Sequence, residues 1–249
     1  MVAILDKLAE HGSVGLTDLV EDLGVSPATL RRDLADLADR RLLLRTHGGA
    51  TSIESHGELP VPLRDARFHE AKLAIAREVA SLIPRERRAI ALSGGSTTAA
   101  VARALSTHPQ LTIVTNSLPI AELVTSYPQM QVIMTGGLIR HQSLELVGVL
   151  AEHTFQAINV ATAILGTDGI TAAGGVTTHD ETEARTNLAM VTHAQRTIVV
   201  TDGSKIGRLA MAKVADIGQI HMLVTDDSCD LEERRAIEQA GVDVRLVPS

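Results

Sequence analysis

Beyond residue 68 the chain carries seven short apolar runs, and they restrict its fold more than any other feature. They read AIAL (89–92), LTIVT (111–115), QVIMT (131–135), ATAILGT (161–167), TIVVTD (197–202), HMLVTD (221–226) and VDVRLV (242–247). Each is strand-length and rich in Val, Ile and Leu. Stretches with helical spacing, such as residues 70–83, separate most of them. Strands that are apolar on both faces must be covered on both faces, and their alternation with helices calls for a mostly parallel sheet. The expected fold class is therefore α/β, with a mostly parallel, doubly covered sheet. No internal repeat interrupts the pattern.

The first fifty residues follow a different rule. Val2, Ile4, Leu5 and Leu8 form a helical apolar stripe that ends near Gly12. Thr17 is expected to cap a second helix, TDLVEDL, which Gly24 breaks. Ser26 followed by Pro27 reads as an N-cap with proline at the first helical position. The helix it opens, SPATLRRDLADLADR, puts Leu30, Leu34 and Leu37 on one face and leaves Arg31 and Arg32 outside it. LLLRT, a Gly-Gly turn and a return strand follow. Between the two regions, TSIESHGELPVP (51–62) has no sustained period and is rich in Ser, Gly and Pro. The expected division is a small helical domain with a hairpin over 1–52, a linker over 53–69 and an α/β domain over 70–249.

Composition narrows the function. With 45% hydrophobic and 21% charged residues among 249, the chain can fill an ordinary core. Its lone Cys229 permits no internal disulfide and no cysteine-based zinc cage. No run approaches the roughly 18 to 20 apolar residues of a membrane span, and MVAILDKLAEHG lacks the marks of a secretory leader. A cytoplasmic protein with no membrane partner is expected. Phe68, Tyr127 and Phe155 are the aromatics, too few to build a base-stacking platform for single strands. A net charge of −7 argues against DNA binding by the surface as a whole. Locally the sign reverses, because Arg31, Arg32, Arg40, Arg41 and Arg45 fall close together.

Two helices joined at a glycine, the second led by small polar residues and arginines, then a hairpin, describe a winged helix-turn-helix. Ser26, Thr29, Arg31 and Arg32 are placed to meet bases and phosphates of duplex DNA, with Arg45 and His47 on the wing. The bland alternative is a small helical domain with a solvated arginine pair. In the second region, Gly94-Gly95-Ser96-Thr97-Thr98 follows a strand and opens a helix, a junction suited either to a tight turn or to an anion. It lacks the lysine of a Walker loop and the spacing of a dinucleotide fingerprint. Polar clusters also end other strands: Asn116 and Ser117; Gly136, Gly137 and Arg140; Gly166, Asp168 and Gly169; Asp202 to Lys205. In an open α/β sheet such ends converge on one crevice. His179, Asp180 and Glu181 are read as solvated loop residues rather than metal ligands, and no metal or cofactor is expected.

The run GVSPATLRRDLADL, with HGGA after it, resembles the DNA-binding domain of the DeoR family of bacterial transcription regulators. Members of that family usually carry a few more residues before the first helix. Residues 70–249, with DGSK and the EA…M pattern of Glu183, Ala184 and Met190, resemble the family's sensor domain, which is related in fold to ribose-5-phosphate isomerase. The resemblance implies operator DNA and a phosphorylated sugar as partners, and a dimer or tetramer. It implies a ligand held by Gly95, Ser96, Thr97, Thr98, Asn116, Ser117, Gly136, Gly137, Arg140, Gly166, Asp168, Gly169, Glu183 and Lys205. Ser93 stands where the family commonly has Asp, and Asn187 where it often has a basic residue. The rival reading is a sugar-phosphate isomerase or deaminase with Asp168 or Glu183 as base and Lys205 holding charge. A third is a winged-helix interaction module that binds no DNA.

Overall fold

The computed structural model describes residues 2–39, 43–51, 64 and 67–249, so Arg40, Arg41 and nearly all of the expected linker lie outside the described residues. The chain forms two compact units, Met1–Arg67 and Phe68–Ser249. The first has helices α1 (Val2–His11), α2 (Leu16–Leu23) and α3 (Pro27–Asp39) and strands β1 (Ser13–Gly15), β2 (Leu44–Thr46) and β3 (Gly49–Thr51). Ile4, Leu8, Leu19, Leu30, Leu34, Leu37, Leu43 and Ala50 make its core.

Two local expectations need correction. Helix α2 starts at Leu16 with Gly15 as its cap, so Thr17 lies inside the helix and caps nothing. The cause is β1, a three-residue strand too short for sequence periodicity to reveal. It pairs antiparallel with β3 in a sheet ordered β1-β3-β2, and the chain turns into α2 directly from it. The hairpin turn falls at His47 and Gly48 rather than at Gly48 and Gly49. Gly49 is a strand residue, and a Cβ there would stand 1.9 Å from the Val14 carbonyl oxygen. Only glycine lets β1 approach β3 so closely.

In the second unit all seven apolar runs are strands of one parallel sheet, ordered β15-β14-β12-β9-β4-β5-β6. These are β4 (Arg88–Leu92), β5 (Leu111–Thr115), β6 (Gln131–Met134), β9 (Val160–Leu165), β12 (Ala194–Val200), β14 (Met222–Asp226) and β15 (Asp243–Val247). Side chains alternate across it as strand geometry requires. Ile90, Leu92, Ile113, Ile164, Ile198, Val200, Met222 and Val224 face one core with helices α4 (His69–Leu82), α5 (Ser96–Ala104) and α6 (Leu118–Thr125). Ala91, Val114, Ala163, Leu165, Val199 and Leu223 face a second core with α7 (Val149–Gln156), α8 (Glu181–Thr192) and α9 (Leu231–Gln239). Burial on both faces is the reason the inner runs read as continuously apolar, while the edge strands β6 and β15 are partly exposed.

Two smaller sheets stand at its carboxyl end. One is the hairpin β7 (Leu138–Arg140) and β8 (Glu145–Val147); the other joins β10 (Gly169–Thr171), β11 (Gly175–Thr178) and β13 (Ala212–Ala215). From β4 the chain builds outward to β5 and β6, and from β9 it builds the opposite way to β12, β14 and β15. The order reverses between β4 and β9. Ligand crevices of open α/β sheets form at such a reversal, outside the carboxyl ends of the strands.

Candidate DNA-reading helix and ligand crevice

Helix α2 ends at Gly24, whose φ of 61° and N–H bond to the Val20 carbonyl (3.0 Å) close the helix in the left-handed conformation. Two residues later Ser26 caps α3: its Oγ accepts the Thr29 N–H at 3.2 Å and lies 2.9 Å from Thr29 Oγ1. Leu30, Leu34 and Leu37 anchor α3 in the core. Ser26, Thr29, Arg31 and Arg32 are all exposed, as are Arg45 on β2 and His47 in the turn. The first turn of α3 has no acidic residue, which leaves its positive end open to a phosphate. Ser26 and Thr29 thus also shape the helix that presents the arginines.

The crevice of the second unit is built from strand ends. After β4 the chain runs through Ser93 and Gly94 to Gly95, which caps α5 at φ 120°, a conformation open to glycine. No side chain caps α5, so its first amides keep their donors for another partner. Ser93 Oγ accepts the Gly166 N–H at 3.0 Å and so ties the loop after β4 to the loop after β9. Ser96, Thr97 and Thr98 are buried, and Thr98 Oγ1 donates back to the Gly95 carbonyl at 2.9 Å.

A chain of polar groups covers the other wall. Thr178 Oγ1, on β11, lies 2.9 Å from Asp168 Oδ2 and 2.6 Å from Glu183 Oε1. Glu183 Oε2 in turn meets Arg140 Nη1 at 3.3 Å, and Arg140 Nε lies 3.4 Å from Asp180. Asp180 also accepts the Glu183 N–H at 2.9 Å as the N-cap of α8, so it is no solvated loop residue. Adjacency of the three residues in sequence conceals the helix start that gives Asp180 this role. Glu181 and His179 are exposed.

The hairpin β7–β8 inserts Glu145 into the crevice. Glu145 is 2% exposed, its Oε1 accepts the Gly94 N–H at 2.5 Å, and a Cβ on Gly94 would collide with its side chain. Burial first and the neighbouring Glu183 second hold the Glu145 carboxyl well above the usual carboxylate range, against the opposing pull of the Gly94 N–H. Asn116 is fully buried with neither end of its amide hydrogen-bonded, and Asn187 Oδ1 on α8 is likewise without a partner. Asn116 lies two residues beyond Val114, on the strand face that joins the second core.

Among the residues expected here, Arg140, Asp168 and Glu183 meet in one network, which Thr178 completes. Gly166 and the loop of residues 94–98 adjoin it. Ser117 caps α6 and is bridged to Glu145. Gly137 instead serves the hairpin: a Cβ there would lie 2.7 Å from the Val147 carbonyl oxygen. Gly136 is exposed, with Leu150 its nearest neighbour. Gly169 opens β10 against the Arg208 backbone. Lys205 stands half-buried in a short 3-10 turn after β12. Sequence reasoning missed Glu145 and Thr178. An acid between Leu144 and Leu146 carries no sign of burial, and Thr178 looked like an ordinary strand threonine.

The DeoR C-terminal sensor domain profile matches residues 67–227, and the DeoR-like helix-turn-helix profile matches residues 2–56. The chain belongs to the DeoR family. Relatives of this DeoR-family chain include the glycerol-3-phosphate regulon repressor of Escherichia coli K12, 35% identical over 90% of this chain and 88% of that protein. The HTH-type transcriptional regulator GlpR of Haloferax volcanii is 35% identical over 97% of this chain and 94% of its own length. Among solved structures, ribose 5-phosphate isomerase A of Methanocaldococcus jannaschii is similar at 17% identity and a TM-score of 0.41. That match spans 55% of this chain and 54% of the isomerase. Family membership makes this chain a DNA-binding transcriptional regulator and disfavours the isomerase reading of Asp168, Glu183 and Lys205. No described helix is long and apolar enough to cross a membrane.

Proposed function

We propose that this DeoR-family regulator is a cytoplasmic repressor of carbohydrate genes whose operator affinity is set by a phosphorylated sugar. Helix α3 enters the major groove by its N-terminal end, with Ser26, Thr29, Arg31 and Arg32 toward the DNA and Arg45 and His47 on the flanking backbone. One such head reads a short half-site, so two or four copies act together. The amides and hydroxyls of Gly95, Ser96, Thr97 and Thr98 hold the phosphate. Asn116, Ser117, Gly137, Arg140, Gly166, Asp168, Gly169, Glu183 and Lys205 surround the sugar. The domain limits 1–52 and 70–249, joined by 53–69, belong to the same reading.

One observation carries it. Beside the reversal of strand order, the loop after β4 opens a helix with no side-chain cap, and the neighbouring strand β5 ends in the buried Asn116, whose amide has both ends unpartnered. Buried polar groups of this kind cost stability unless a partner completes them. A phosphate with neighbouring hydroxyls supplies acceptors for the amides and both kinds of group for Asn116. One relative is named for a glycerol-3-phosphate regulon, which fits a phosphorylated polyol.

Thermal denaturation with a panel of phosphorylated sugars tests it. A ligand at a hundredfold its Kd adds about 2.7 kcal/mol to stability, a rise of about 5 to 10 °C in Tm for a chain of this size. Thr97→Val should remove the rise. A panel without any shift, or a shift that survives Thr97→Val, overturns the placement.

A further inference from the structure

Glu145 is an unexpected neighbour for an anion loop. It is the buried carboxyl closest to the amides of that loop, and its Oε1 already takes the Gly94 N–H. An ionised carboxylate there opposes any phosphate arriving at Gly95 to Thr98. A carboxylic acid does not: it accepts through one oxygen and donates through the other. From this geometry we infer that Glu145 is a specificity residue that admits the anion only in its protonated form. Its proton, shared with Glu183 through a hydrogen bond between the two carboxyls, then turns to an oxygen of the bound ligand. This inference rests on the loop reading above and names what that loop demands of its neighbour.

The surrounding groups favour a proton at this place. Glu183 on α8 is the charged group next to Glu145, and it raises the proton affinity of Glu145 along with burial. Arg140 reaches Glu183 from β7, Asp180 reaches Arg140 from the α8 cap, and Asp168 reaches Glu183 through Thr178 after β9. The Gly94 amide pulls the other way. The Thr178 hydroxyl has a single proton for two carboxyl oxygens. An added proton in this string of oxygens lets more of its contacts be hydrogen bonds. An arriving dianion strengthens the same preference, so binding takes up a proton and weakens as pH rises.

Sulfate is the probe of choice because it stays a dianion from pH 5.5 to 8.0. Titration calorimetry of the full chain should give a sulfate Kd that rises at least tenfold across that range. One linked proton permits at most about tenfold per pH unit. Glu145→Gln, which has the same shape and offers both a donor and an acceptor, should hold Kd within threefold across the range and bind more tightly than wild type at pH 8.0. In wild type, buffers of different ionisation enthalpy should report proton uptake on binding, a readout that does not need the variant to fold. Sulfate binding that Thr97→Val weakens but that neither depends on pH nor takes up a proton overturns the Glu145 assignment and leaves the loop reading standing. No sulfate binding, or binding untouched by Thr97→Val, overturns both.

Discussion

Replacing Arg31 and Arg32 together by Ala isolates the electrostatic part of DNA binding. Both guanidinium groups are exposed, and neither is ion-paired among the described residues, so the substitution breaks no ion pair there. The helix keeps its Ser26 cap and its Leu30, Leu34 and Leu37 face, and Ala is the stronger helix former. Each neutralised phosphate contributes about 0.9 to the slope of log affinity against log salt, worth about 1 kcal/mol at 0.15 M. For the proposed pair of heads, two arginines on each account for about 4 kcal/mol, roughly a thousandfold in Kd. The slope itself should fall by about 3.6. Fluorescence anisotropy on a duplex selected from a random library, between 50 and 200 mM KCl, reads both quantities. An arginine that pairs with a base edge costs about 1 to 3 kcal/mol without a matching change of slope, so the two readouts separate its roles. A double variant with wild-type affinity and slope refutes the placement of α3 in the groove.

Further outcomes follow from the same geometry. Glu145 holds its proton more tightly in the folded chain than in the unfolded one, whose carboxyl is near 4.5. Above that pH the folded state binds more protons, so stability falls as pH rises, by at most about 1.4 kcal/mol per pH unit for this group. Urea denaturation from pH 5 to 8 should therefore show a downward trend that Glu145→Gln flattens; parallel trends would count against the buried acid. Thr178→Val keeps the side chain's shape but removes the hydroxyl that meets Asp168 and Glu183, and should cost about 1 to 3 kcal/mol. An equally stable variant contradicts that network. Gly49→Ala drives a Cβ into the Val14 carbonyl and should cost about 3 kcal/mol or more. Early melting of the first unit, with Phe68–Ser249 unaffected, is the expected calorimetric signature.

The parallel sheet was legible because its inner strands are buried on two faces, which leaves a continuous apolar run in sequence. The strands at the crevice were not. Residues 169–171 and 175–178 read as glycines and threonines, since these strands are short, and β11 is held partly by side-chain bonds such as that from Thr178. The α3 cap was legible because Ser-Pro at a helix start has few other uses, whereas the α2 cap was misplaced because β1 is only three residues long. Arg140, Asp168 and Glu183 were found as residues that end strands or match a family pattern. Their union depends on β11 and the start of α8, which no local spacing announces. Glu145 shows the limit most plainly: its burial is set by Gly94, fifty-one residues away in sequence.

Coupling between ligand and DNA is the claim on which the rest depends. It is tested most directly by titrating the selected duplex with wild type and Thr97→Val, each with and without a saturating phosphorylated sugar found by thermal shift. Couplings between sites are typically about 1 to 3 kcal/mol, so wild type should change its duplex affinity at least fivefold on adding the sugar, while Thr97→Val, equal to wild type without it, should not respond. Equal duplex affinity of the wild type with and without a sugar that demonstrably binds it would contradict the account.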